Sequence, residues 1–138
     1  MRNTLLITLM LSLSLVAGAA KAATLKDSLK TLQTYAEKEE HTSSVKTQEV
    51  LKVIDQSVTA IIEGKEKASP EFMKALARAA VLTFDSDPSE AAGELLLPLQ
   101  KKNKKALEEA IKSLPKKDAD SLRESLKNAA REETQGNG

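Results

Sequence analysis

The chain has 138 residues, enough for one ordinary domain, with no cysteine and only three aromatic residues, one Tyr and two Phe. The missing cysteine excludes disulfides, thiol catalysis, thiolate metal sites and attachment of lipid through a cysteine. The 21 basic and 20 acidic residues leave a formal charge of +1, which gives no general pull toward nucleic acid or acidic membranes.

The first 22 residues have the order of a secretory signal peptide. Met1-Arg2-Asn3 is a short positive region, Leu5 to Val16 is apolar, and Ala17 to Ala23 is rich in small residues. The apolar stretch falls short of the about 20 residues a membrane span needs, and Ser12 and Ser14 interrupt it. Cleavage after Ala22 satisfies the small-x-small pattern through Ala20, and cleavage after Ala19 with Ala17 competes with it. The expectation is a periplasmic or secreted protein, bacterial by its compact alanine-rich cleavage region. Loss of Arg2 and Lys21 turns the charge from +1 to about −1.

Residues 23–133 read as a single helical domain, with 134–138 as a disordered tail. The first helix is predicted from Leu25 to Glu40, started by Thr24 and Asp27, with Leu25, Leu29, Leu32 and Ala36 as a narrow apolar stripe. The second covers about Val45 to Glu63 behind Ser43 or Ser44. Val50, Leu51, Ile54, Val58, Ile61 and Ile62 form its wider apolar face, and Gly64 stands where a left-handed cap is wanted. Ser69-Pro70-Glu71 starts the third helix, since serine caps, proline takes the first turn and the carboxylate meets the positive end of the helix dipole. Ala75, Ala77, Ala79 and Ala80 let another helix come close to it. Asp85-Ser86-Asp87-Pro88 breaks it, and a fourth helix covers Ser89 to Leu97.

Pro98 predicts a kink or a break. A fifth helix then covers Leu99 to Leu114, with Asn103 able to cap a shorter version. After Pro115-Lys116-Lys117-Asp118 the last helix starts at Asp118 or at the capping-box spacing Ser121 to Glu124. Leu122, Leu126, Ala129 and Ala130 form its stripe. The segment Leu25 to Lys30 matches Leu122 to Lys127 in residue class, which reads as two similar outer helices. The expected fold is all-α, an irregular bundle of five or six short helices, with a stacked helix-hairpin array as the alternative architecture. The narrow stripes of the first and last helices leave room for a homodimer.

Candidate chemistry is sparse. His41 is the only histidine. With Glu37 at i,i+4 spacing it supplies two metal ligands and no third, so the expectation is a solvated residue at a helix C-terminus and no metal or cofactor. No Gly-x-Ser-x-Gly elbow is present. Glu39-Glu40, Glu108-Glu109 and Glu132-Glu133 read as solvated helix faces, far from the burial that separates the pKa values of catalytic acids. The chain therefore reads as non-catalytic, with a carboxylate-dependent enzyme as the remote alternative.

Two features invite a binding reading. Leu95, Leu96, Leu97 and Leu99 are the strongest apolar run after the leader, either core or a surface that grips a partner. Lys101, Lys102, Lys104 and Lys105 follow, either a solvated face offset by Glu108 and Glu109 or a surface that steers an anionic partner. The leading expectation is an exported protein that binds another envelope or extracellular protein as an adaptor, inhibitor or chaperone-like module. The alternative is a carrier of a small ligand or lipid in an aliphatic cavity between helices. No nucleic acid is expected as a partner, because export and the lack of stacking aromatics oppose it.

Overall fold

The computed structural model describes residues 24–137; the expected signal peptide and its expected cleavage sites lie outside them. Six α-helices make up the described chain: α1 Leu25–Glu37, α2 Ser44–Ile62, α3 Pro70–Thr83, α4 Ala91–Lys102, α5 Lys104–Lys112 and α6 Lys116–Asn137. The all-α expectation holds. None of these helices is long and apolar enough to cross a membrane.

The local signals act as their chemistry dictates at most helix starts. Thr24 Oγ1 accepts from the Asp27 amide at 3.3 Å, Ser43 Oγ from Lys46 at 3.2 Å and Ser69 Oγ from Phe72 at 3.1 Å. Gly64 takes φ 74°. There the Lys65 amide reaches Ala60 O and the Gly64 amide reaches Ile61 O, closing α2 with a Schellman motif. A long-range contact adds to the start of α1: both carboxylate oxygens of Glu66 accept from the Leu25 amide, at 3.0 and 3.1 Å, where the helix dipole favours a negative charge.

Several boundaries differ from the sequence reading, each for a tertiary reason. Helix α1 stops at Glu37, because Glu39 turns left-handed (φ 52°) into a 3₁₀ turn over Glu40–Thr42 that carries His41 toward Asp85. Helix α4 starts at Ala91, not Ser89. The buried Asp87 carboxylate accepts from the Ala91 amide at 3.0 Å and from Ser89 Oγ at 2.6 Å. Pro98 lies within α4 and does not end it. It faces solvent, as does Glu94 four residues earlier, so water can replace the hydrogen bond the ring removes, while Leu96, Leu97 and Leu99 are held on the buried side. The break falls instead at Asn103 (φ −127°, ψ 41°), which separates α4 from α5. Helix α6 begins at Lys116, with Ala119 N donating to Pro115 O, so Ser121 and Glu124 lie inside the helix and form no cap. It runs to Asn137, past the tail boundary expected at Thr134, with Thr134 Oγ1 bonded to Ala130 O and Glu133 paired with Lys101.

The helices form two rows, α1-α3-α5 and α2-α4-α6, in which each helix packs on its second neighbour along the chain. That keeps one feature of a stacked array, but α3 also touches α6 and closes the rows into a bundle. Helix α3 touches all five others, and its alanines are the reason. Ala77, Ala79 and Ala80 are fully buried and hold neighbouring backbones close. Leu32, Ile54, Leu76, Leu96, Leu99, Leu107, Ile111, Leu122 and Leu126 fill the aliphatic core around it. Gly93 marks a close crossing, where α4 meets α6 beside Ser125.

Candidate functional site

The Leu-Lys segment of the sequence divides in the structure. Leu96 and Leu99 are fully buried, Leu97 is 4% exposed, and Leu95 packs half-buried against the core. The leucine run is core, and its side chains are not available as an outer gripping surface. This follows from the continuous helix: α4 lies between α2 and α6 and is apolar on more than one side.

The lysines have a different setting. Lys101 pairs with Glu133 of α6. Lys102, Lys104 and Lys105 line a groove of about 510 Å³ between the start of α3 and the α4–α5 junction. Its floor and walls include Ala68, Pro70, Met73, Ala106 and Ala110, and Lys74 joins the rim from α3. Of the acids expected to offset Lys104 and Lys105, Glu108 is engaged elsewhere and Glu109 lines the groove itself. Glu108 bonds Arg123 of α6 at 2.8 Å, and Glu109 stands 4.0 Å from Lys112. Among the described residues, Lys74, Lys102, Lys104 and Lys105 have no carboxylate within ion-pair distance. Glu109 is the one acid in the lining.

The groove lies at the Asn103 break between α4 and α5, where Ala106 and Ala110 of α5 share the lining with Pro70 and Met73 of α3. At Ala68, Met73, Asn103 and Ala106 it meets a second groove of about 460 Å³, to which Ile61, Gly64, Glu66 and Lys67 contribute. A third groove, of about 450 Å³, is lined among others by Glu37, Glu71, Lys74, Arg78 and Asp118. Its mixed charges give it no preference of sign. Three of the four lysines singled out in the sequence, Lys102, Lys104 and Lys105, lie on the first groove. Its apolar partners carried no signal, because isolated Ala, Pro and Met residues in three segments converge only in the fold.

A polar cluster occupies the opposite end of α3, about 21 Å away for a 14-residue helix. Tyr35 OH and Thr47 Oγ1 are 2.8 Å apart, and Thr47 Oγ1 and Ser86 Oγ are 2.6 Å apart, a chain of hydroxyls that ties α1, α2 and the α3–α4 loop. His41 is not the solvated residue expected at a helix end. It is partly buried, with Nδ1 2.6 Å from Asp85 Oδ2, close enough for an ion pair when the imidazole is protonated but not aligned as a hydrogen bond. Helix α1 has ended before His41, so the i,i+4 spacing of Glu37 and His41 no longer sets them on one helix face. Among the described residues, no three His, Asp or Glu side chains gather to hold a metal, and no hydroxyl bonds to His41 as a nucleophile would to its base.

The cluster has a pH signature. Burial, the largest cause, raises the Tyr35 phenol above its ordinary value; the Thr47 hydrogen bond opposes this, and the charges of Asp85 and Glu40 add to it. A raised folded pKa gives stability that is present below the unfolded value near 10 and lost as pH rises past it. Unfolding free energy is therefore expected to fall above about pH 10. Tyr35→Phe is expected to flatten that fall in denaturant titrations. Ionisation of this single tyrosine at ordinary pH in the folded protein, read from its phenolate absorbance, would contradict it.

Compared with known proteins, the chain matches no family model, no curated protein and no solved structure.

Proposed function

We propose that this is an exported, non-catalytic binding protein whose binding site is the lysine-rimmed groove at the α3–α4–α5 junction. The observation that carries the reading is four lysines without carboxylate partners around a groove with an apolar floor.

Of the two kinds of occupant open from the sequence, the geometry favours the small ligand. A volume of about 510 Å³ lies inside the roughly 300–1,000 Å³ range of small-molecule sites, and such sites pair apolar walls with a few polar groups. Protein interfaces instead rely on aromatic anchors. Here Tyr35 and Phe72 are buried, Phe84 is half-buried, and Val45, 67% exposed, is the one large apolar side chain that stands out among the described residues. The protein-binding reading rests on the lysine rim, which an acidic segment of a partner protein would meet as well.

Native mass spectrometry of the protein taken from the cells that make it tests the reading. An added mass of small-molecule size is the expected result, and one of protein size would transfer the proposal to protein docking. A bare protein that also takes nothing from a cell extract would sink the binding reading.

A further inference from the structure

Resting on the small-ligand reading, we infer that the groove takes a long-chain fatty carboxylate, its head among Lys102, Lys104 and Lys105 and its chain along Met73, Ala106 and Ala110. Three observations lead there. The lining is apolar apart from its charges and Asn103, so the body of the ligand is hydrocarbon. The rim carries four cations against Glu109, and Glu109 is shared with Lys112, so the head is an anion. Lys74 closes the rim from the α3 side, which sets cations on both walls.

The groove continues into its neighbour at Ala68, Met73, Asn103 and Ala106, which gives an extended chain room to lie along it, and the charges of the rim select its head. A neutral amphiphile would bury the same hydrocarbon and leave the lysines unanswered. Selectivity for the carboxylate is therefore electrostatic, and it weakens as salt screens the exposed rim.

The test uses palmitoleate below its micelle-forming concentration, with palmitoleyl alcohol, palmitoleoyl lysophosphatidylglycerol and a polyglutamate peptide as comparison arms. It is read by calorimetry and by NMR on the protein recovered from cells expressing the full chain. Palmitoleate is expected to bind one to one, to shift the Met73 methyl and the Ala106 and Ala110 amide signals, and to bind at least tenfold more tightly than the alcohol. Lys102→Glu combined with Lys105→Glu is expected to erase that preference while leaving the alcohol's affinity in place. Ala106→Phe, at an exposed position, is expected to block both ligands with helix content unchanged.

Equal affinity for acid and alcohol overturns the anionic head and leaves the carrier reading standing. Tighter binding of the lysophospholipid overturns the carboxylate as the head. Shifts of the same signals by polyglutamate, with none from either amphiphile, overturn the inference and the carrier reading together.

Discussion

Leu96→Asp is expected to leave no folded protein at room temperature. Leu96 is fully buried in α4, the helix that packs on α2 and α6 in one row and on α3 and α5 across the rows. Removing the leucine side chain alone costs about 2–5 kcal/mol when the site relaxes little. An unpaired carboxylate in its place costs several kcal/mol more, or forces protonation. The sum is comparable to the whole 5–15 kcal/mol that holds a typical domain together. Leu99→Asp is expected to behave alike. Lys104→Asp, on the exposed groove rim, is expected to move stability by no more than about 0.5 kcal/mol. Circular dichroism with urea titration separates these outcomes. A Leu96→Asp protein with native helix content and an ordinary midpoint would show that this part of α4 can face solvent.

Gly93→Ala is the second large effect, and its sign is not the one helix propensity gives. An alanine inside a helix is ordinarily better than glycine by roughly 0.5–1 kcal/mol. At Gly93 the new Cβ would stand 2.2 Å from Ser125 Oγ and 3.1 Å from the Ser125 carbonyl oxygen. The hydroxyl can rotate away, but the backbone oxygen cannot, so α4 and α6 must separate slightly. Overpacking of this kind costs about 1–3 kcal/mol, which outweighs the propensity gain. Gly93→Ala is expected to lower the thermal midpoint, and Ser125→Ala in the same protein to restore part of the loss by removing the nearest atom. A Gly93→Ala protein more stable than the parent would mean that the two helices are not held at this distance.

Much of the secondary structure was legible from residue chemistry acting over one or two turns. Thr24, Ser43 and Ser69 cap helices because a side-chain oxygen beside free amides needs no tertiary help. Gly64 ends α2 because a residue without Cβ adopts φ 74° freely. The apolar stripes of α2 and α6 give the core residues Val50, Ile54, Val58, Leu122 and Leu126, since a 3.6-residue period identifies the buried face wherever that face ends up. Tyr35, by contrast, escaped the stripe reading, although it is fully buried. Its burial depends on a hydroxyl partner, Thr47, that belongs to another helix.

The sequence by itself determined an all-helical chain, the positions of most caps, the aliphatic character of the core and the clustering of lysines after residue 100, because each depends on contacts within a few residues. Tertiary structure decided where competing local signals yield. Pro98 stays in α4 because buried leucines on the opposite side hold the helix through it, and the break moves to Asn103. Glu108 turns to Arg123 of another helix, so Lys104 loses the offset that its spacing suggested. The groove itself is a product of packing alone: residues from 68 to 110 in sequence meet there only because α3 lies against α5, and no local interaction encodes that meeting.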